Sequence, residues 1–534
     1  MMRDLPALLC ATVAAAALGC RAMTEPSPLP LDRASGHVAA WLEGHRDRPP
    51  MVRAFVQRLP KGGDLHNHLS GAVYAEAYVK WGAAANYSLD PATNTLIPPG
   101  SHAPGMIRLR DVLEDATAYS KLIDHLSTRN LAYDGQSGHD QFFQTFGEFG
   151  SVSWNHGADM IARLASRAAD EHIQYLELMV TVHSESMDAA LKADTSALRE
   201  ALREALGAAG SSTPPAQPDF AKALGRLDQL GLSQWIEEGR ASLETMSRSA
   251  RSKLEQGDRG RDVHIRYLQQ SNRVLEPEQV FAQLAFAFAL AEADPRMVGI
   301  NLVAPEDNRV ALRDYTLHMQ MVRFLGTRHP GVGVALHAGE LTLGLVPPSD
   351  LRFHIRQAVE IAGARRIGHG VDVFYEDRAF ELLEHMRDDR IAVEICLTSN
   401  DVILGVEGRN HPFLHYRAAG VPAVLASDDA GVSRIDLSNE YLRAVRDYGL
   451  GYEDLKELSR NSLEYSFIPG ESLWETTSPF TMVEACAGDE PGADACTPAC
   501  RAFLDASERA AQQWRLEAAF VEFERLPWLQ PSAN

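Results

Sequence analysis

The 534-residue chain is short of positive charge: 51 lysines and arginines stand against 72 aspartates and glutamates, a formal net charge of -21 at pH 7. That balance repels nucleic acid and anionic membrane surfaces and disfavours polyanionic substrates. No basic, aromatic-lined groove of the kind that binds nucleic acid is visible either. Long apolar runs are equally scarce. The one at the start, Leu5 to Gly19 in MMRDLPALLCATVAAAALGCRAM, is too short for a mature membrane-spanning helix and suits the apolar region of an export signal. Arg3 offset by Asp4 leaves only a weak charged region before it, and Ala17-Leu18-Gly19 ahead of Cys20 looks like a lipoprotein processing site. Residues 1–20 are therefore expected to be a signal, Cys20 a lipidated point of membrane attachment, and residues 21–45, polar and proline-bearing, a tether. The expected address is exported, either periplasmic or membrane-anchored.

Cysteine is rare, with six in all. Cys10 and Cys20 belong to the signal, and Cys396 sits in an apolar segment where it reads as core. Cys486, Cys496 and Cys500 lie in EACAGDEPGADACTPAC, a loop that one disulfide can staple in an oxidising compartment, leaving one thiol over. A zinc site there is disfavoured, because no histidine lies nearby and three thiols fall one short of a closed structural set.

What the chain does have is eight short apolar runs, most ending in polar or glycine residues and followed by helix-like sequence: 61–66, 173–182, 263–268, 297–303, 332–337, 365–370, 391–398 and 421–427. Strands alternating with helices make parallel β/α units, and eight of them predict an α/β fold, a (β/α)8 TIM barrel with its chemistry at the C-terminal ends of the strands. HIRQAVEIAG before the sixth strand and SNEYLRAVRDYG after the eighth show the helical spacing this requires. Two stretches exceed simple connections, about 86–150 after the first strand and 184–262 after the second, and read as insertions over or beside the barrel mouth. The second contains the loop GAAGSSTPPAQPDF. Residues 46–480 thus form the expected barrel, and 481–534 a cysteine-containing loop with a C-terminal helical extension, where FLDASERAAQQWRLEAAFVEFERLPW reads as one long amphipathic helix.

Chemistry collects at the expected strand ends. The first offers His66 and His68, the fifth His337 in LHAGE, the sixth His369 in IGHG, and the eighth Asp428 and Asp429 in ASDDAG. Positions i and i+2 of a strand point to one side, so His66 and His68 can reach a single metal ion. With His337 and Asp428 they make a nitrogen and oxygen set suited to zinc, one ion per chain. Near a metal that acidifies water, His369 between two glycines is placed to take or steer a proton, and Glu340, if burial keeps it neutral, to donate one to a ring nitrogen. Asp429 either buttresses the neighbouring ligand or contacts water and substrate.

KGGDLHNHLSGA, YLEL, VGINLVAPED, LHAGE, RRIGHGVD, EICLTSN, HPFLHYRAAGVPAVLASDDAGV and RNSLEYSFI, running in order from Lys61 to Ile468, resemble the adenosine deaminase family of metal-dependent amidohydrolases, and most closely its secreted adenosine-deaminase-like branch. The resemblance implies hydrolysis of the 6-amino group of adenosine to inosine and ammonia. It implies zinc on His66, His68, His337 and Asp428, Glu340 as proton donor to purine N1, His369 orienting and deprotonating the water, and Asp429 as partner of water and of purine N7. The departures concern substrate. Ser70 stands where the family motif has an acid that contacts ribose, Ala304 where it has a glycine whose NH faces purine N3, and Met179 where an arginine would pair with Glu177. Another aminopurine or a modified adenosine is the alternative substrate. The long insertions leave room for a non-catalytic lipoprotein that binds a nucleoside or a partner, and the sequence leaves monomer and dimer open.

Overall fold

Eight parallel strands follow one another in chain order around a closed ring, as the sequence pattern requires. They are β1 Gly62–His68, β2 Ile173–Val180, β3 His264–Asn272, β4 Met297–Val303, β5 Gly333–Ala338, β6 Arg366–His369, β7 Ala392–Ile395 and β8 Ala423–Leu425. These are the features of a computed structural model that describes residues 33–101, 104–210, 217–257 and 259–530. The expected signal, Cys20 and the first part of the expected tether lie outside the described residues. Neighbouring strands are in parallel register, for example Leu176 opposite Ile265 and His337 opposite Gly368. The ring closes where Asn67 pairs with Asp428, whose N–H donates to His66 O at 2.8 Å. Strands covered on both faces need apolar residues at nearly every position, and β2 is buried along its whole length. Met179, Leu268, Ala335 and Phe467 fill the inside of the ring as an apolar cluster separate from the main core under the helices.

Both long connections are folded insertions. The first carries helix Ala75–Ala84, a small antiparallel sheet in the order Thr95–Ile97, Ser88–Asp90, Ile107–Arg108, and helix Gly138–Ser153. The second is helical, ending in Leu232–Gln256, which packs on Gly157–Asp170 and on Pro277–Ala293. Among the described residues no helix is long and apolar enough to cross a membrane.

Two sequence expectations need correction. Residues 33–45 were expected within a polar tether, but Arg33–His45 is an α-helix. Val38 and Leu42, one turn apart, are buried, and Trp41 stacks on Phe55 at 5.6 Å and meets Trp528 edge-on at 5.0 Å. The single C-terminal helix is instead two, Pro498–Ala506 and Glu508–Glu524. Ser507 breaks it by turning extended and accepting the Ala510 N–H on its hydroxyl, which caps the second helix. In the cysteine loop Cys486 and Cys500 form the disulfide and Cys496 is the thiol left over. The bridge lies in a satellite core with Trp474, Phe480, Leu504 and Trp514.

Candidate active site

The C-terminal ends of β1, β5 and β8 bring three imidazoles and a carboxylate to one point. His66 Nε2 lies 3.0 Å and His68 Nε2 3.2 Å from His337 Nε2, and Asp428 Oδ1 is 3.5 and 3.4 Å from the first two. The other nitrogen of each ring faces an oxygen. His66 Nδ1 meets Glu394 at 2.7 Å, His68 Nδ1 meets Gln270 Oε1 at 2.7 Å, and His337 Nδ1 meets Asn301 Oδ1 at 2.9 Å. Asn301 Oδ1 also accepts the His337 backbone N–H, which fixes it as the acceptor end of the amide. With the protons held on Nδ1, three Nε2 lone pairs converge at contact distance, an arrangement that repels itself unless a cation sits between them. A His/His/His/Asp set able to coordinate a metal is therefore present, and the donor types suit zinc. Purely by proximity, His369 falls in one such group with His66, His337 and Asp428, and Asp429 in another with His68 and Asp428.

Glu340 and Asp429 are buried beside this point. Burial, reinforced by the Asp428 carboxylate, pushes both carboxyls well above the usual range. Burial pushes His369 down to about 3, so its ring is neutral. Glu340 is aimed by Glu306, whose two oxygens accept the backbone N–H groups of Gly339 at 3.2 Å and Glu340 at 2.9 Å. The turn depends on Gly339, which has φ +75° and would drive a Cβ to 2.5 Å from Asp372. Asp429 sits so close over Gly71 that a Cβ there would come within 1.5 Å of its carboxylate oxygen. Three non-glycine residues at the site, Ala304, His369 and Asp428, hold φ of 86°, 70° and 54°, the kind of local strain that clusters at functional sites.

A residue that sequence reasoning did not single out holds the interior together. Met179 in place of an arginine left open whether Glu177 keeps an ion-pair partner, and Arg366 on β6 supplies one. Its guanidinium donates to Glu177 Oε2 at 2.5 Å, to Glu394 Oε1 at 2.5 Å and to Tyr465 O at 3.0 Å, and the three charged side chains are fully buried. Burial alone would favour a neutral Glu394, yet Arg366 and His66 outweigh it and hold the carboxyl at about 2. The chain of contacts runs Glu177, Arg366, Glu394, His66. Arg366→Met leaves two buried carboxylates without their partner, and the expected cost is about 3–5 kcal/mol in a denaturant melt, with weaker zinc retention as His66 loses its orienting anion.

Beside the cluster opens a cavity of about 330 Å³. One wall is aromatic, Phe142, Phe143 and Phe146 from helix Gly138–Ser153 of the first insertion, which thereby covers part of the mouth. Ser70 and Ala304 line it as expected, together with Gln270 and Asn272, and among the described residues no lysine or arginine does. The Ala304 carbonyl accepts from Arg273 Nε at 2.8 Å, which pins its strained backbone. The aromatic helix is tied to the loop after β4 by His139 Nε2 and Asp307 Oδ1 at 3.1 Å. The hydrogen bond to Asp307, helped by Asp140, lifts His139 to about 9. A raised pKa means the charged pair is complete below about 6.5 and lost as pH climbs through about 9. For the preferred substrate KM is expected to rise over that upper range, whereas His139→Gln, which never carries the charge, should show a high KM that is flat across it; steady-state kinetics from pH 6 to 10 check this.

All nine residues singled out in the sequence thus meet at one place. Those missed are the orienting acceptors Glu394, Gln270 and Asn301, the arginine Arg366 and the phenylalanine wall. A charged or amide residue inside an apolar strand, as in IAVEICLT and MVGINLV, was the available signal for Glu394 and Asn301.

Residues 241–477 match the family model described as adenosine deaminase. The chain is 32% identical to an adenosine deaminase of Pectobacterium atrosepticum over 213 residues, 40% of this chain and 57% of that protein. It is 29% identical to one of Clostridium perfringens over 185 residues, 34% of this chain and 52% of that one. The chain therefore spans about half the length of these curated relatives. Among solved structures, the N6-methyl-AMP deaminase from Arabidopsis thaliana aligns over 78% of this chain and 94% of its own, with a TM-score of 0.48 and 20% identity. The adenine deaminase of Arthrobacter aurescens aligns over 77% and 94%, with 0.44 and 17%. Over these segments the chain is similar to adenosine deaminases, and the stretch matched by the family model contains His337, His369 and Asp428.

Proposed function

We propose that the protein is a metal-dependent hydrolase that removes the amino group from an aminopurine carrying no phosphate, either a free base or a nucleoside, with adenosine and its modified forms within that class. The observation that carries this reading is the convergence of three Nε2 atoms and Asp428 next to the buried Glu340 carboxyl. A zinc ion held by His66, His68, His337 and Asp428 would supply the Lewis acidity that makes water a nucleophile near neutral pH. The purine ring is held against the phenylalanine wall, its amino-bearing carbon toward the cluster. Glu340, kept neutral by burial, donates its proton to the adjacent ring nitrogen as that carbon becomes tetrahedral, which keeps charge from building up in the ring. His369 orients the attacking water, and Asp429 contacts water and the far ring nitrogen. One of the water's protons replaces the one Glu340 gave up, the other passes to the amino nitrogen, and the C–N bond breaks to release ammonia as the C=O forms.

Among the described residues no lysine or arginine lines the cavity, which disfavours a phosphate: away from the imidazoles it would meet the Glu340 and Asp429 carboxyl groups, two amides and the Ser70 hydroxyl. Ser70 gives the sugar side a neutral hydroxyl instead of an acid, and the Ala304 methyl alters the wall, so recognition away from the reacting carbon differs from the family motif. The test is a mass-spectrometric panel of adenosine, 2′-deoxyadenosine, N6-methyladenosine, adenine and AMP with the zinc-loaded protein, following deaminated product and released amine. Release from none of them, or preference for AMP over adenosine, overturns the reading.

A further inference from the structure

We propose that His411 and Asn400 fix His369 in the tautomer protonated on Nε2, so that His369 enters the proposed deamination as a hydrogen-bond donor to the attacking oxygen, neither a metal ligand nor the base that removes the water's proton. The inference rests on the proposed function only for the identity of that oxygen; the tautomer follows from hydrogen-bond direction alone.

The chain of donors begins at a group that can only donate. The Phe413 backbone N–H donates to His411 Nδ1 at 3.1 Å, so that nitrogen is an acceptor and carries no proton. His411 is 2% exposed, and burial with Arg443 nearby pushes it down to about 3, so the ring is neutral and its one proton is on Nε2. His411 Nε2 lies 3.0 Å from Asn400 Oδ1 and must donate to it. That fixes the Asn400 amide, because the flipped orientation would set Nδ2–H against Nε2–H, donor against donor. Asn400 Nδ2 therefore donates to His369 Nδ1 at 2.9 Å. Because Nδ1 accepts that N–H it holds no proton, so His369 carries its one ring proton at Nε2, the atom that is buried without a protein partner and lies 3.9 Å from Asp428 Oδ2.

The contrast with the other rings at the site is what gives the tautomer its meaning. His66, His68 and His337 each turn Nδ1 to an acceptor oxygen and leave Nε2 as a lone pair; His369 turns Nδ1 to a donor and presents an N–H. Proximity alone groups His369 with His66, His337 and Asp428, but a ring cannot offer a metal the nitrogen that holds its proton. The same N–H is well suited to point at an oxygen gaining negative charge, where a donor already in place needs no reorganisation during reaction. Asn400 and His411 are positioning residues: they touch no substrate and act through His369.

The test uses the full-length, zinc-loaded protein labelled with 15N-histidine, whose 15N shifts separate a protonated ring nitrogen from a bare one; the His369 signals are assigned by their loss in His369→Asn. The expected result is Nε2 protonated and Nδ1 bare in the wild type. Asn400→Asp replaces the donor with a carboxylate, so His369 should switch to Nδ1–H, and kcat should fall about 100-fold with zinc content unchanged, in line with losing one pre-aimed donor. A merely structural role for Asn400 would leave the tautomer unmoved. Nδ1–H in the wild type, or an unchanged tautomer in folded Asn400→Asp, overturns the proposal; should that variant not fold, the wild-type spectrum decides. A wild type that shows Nε2–H yet deaminates no aminopurine refutes the proposed function and leaves the tautomer assignment standing.

Discussion

Glu340→Gln is expected to lower kcat on the preferred aminopurine by about 1,000-fold while the protein keeps one zinc per chain, a loss in the middle of the range for removing a general acid. Glutamine fills the same volume and can hydrogen-bond, but it has no acidic proton to give the ring nitrogen. The geometry around it should survive. The Gly339 and Glu340 backbone N–H groups still reach Glu306, and Glu340 is not among the acceptors that orient the three convergent imidazoles. KM should change little, because the interaction lost is one made as the carbon becomes tetrahedral and not in the bound ground state. Single-turnover kinetics beside metal analysis are the measurement. A variant with kcat within tenfold of wild type would remove Glu340 from the proton-donor role, and one that loses its zinc would show that the residue acts on the cluster instead.

The barrel was legible because a parallel strand covered on both faces must be apolar along its length, and few other elements in this chain meet that demand. MVGINLV became a strand at the expected bounds, whereas VPAVLAS shrank to Ala423–Leu425. The shortening has a local cause: beyond Leu425 the chain leaves the ladder to bring Asp428 to the cluster with φ 54°. Apolar character shows where a segment is buried and does not show where it stops pairing. The histidines and aspartates were legible for a similar reason. Strand ends are the one place where residues distant in sequence must meet, so listing the polar residues there was enough to assemble the site.

What stayed hidden depended on long-range geometry. Phe142 and Phe146 are one turn apart on helix Gly138–Ser153, and that spacing is visible in FFQTFGEFG, but which side faces the cavity depends on where the insertion docks. The Arg366 guanidinium spans from β6 to β2 and β7, and the sequence signal for it was only an arginine at the head of an apolar run. The helix at 33–45 was masked by the prolines on either side of it and by its polar neighbours, since Val38, Trp41 and Leu42 form a stripe too short to stand out without Phe55 and Trp528 beside it.

His337→Ala should abolish both zinc retention and turnover, and its value is that the two losses can be read separately from folding. His337 Nε2 is the nitrogen that both other convergent imidazoles approach, at 3.0 and 3.2 Å, so no rotation of His66 or His68 replaces it. The backbone consequences are small. Asn301 Oδ1 keeps the residue-337 N–H as a donor when the ring is gone, and Arg273 still reaches the carbonyl at 3.2 Å. The apo variant should therefore melt close to the apo wild type. Adding zinc distinguishes them: a ligand at about 1,000 times its Kd stabilises the native state by about 4 kcal/mol, so the wild-type Tm should rise by several degrees and that of His337→Ala should not move. Activity should fall to the uncatalysed background, because removing the metal removes the acidified water that the neighbouring residues are arranged to aim. A variant that binds stoichiometric zinc and shows the wild-type Tm shift would mean that His369 or Asp429 completes the coordination in place of His337, which would also contradict the donor tautomer assigned to His369.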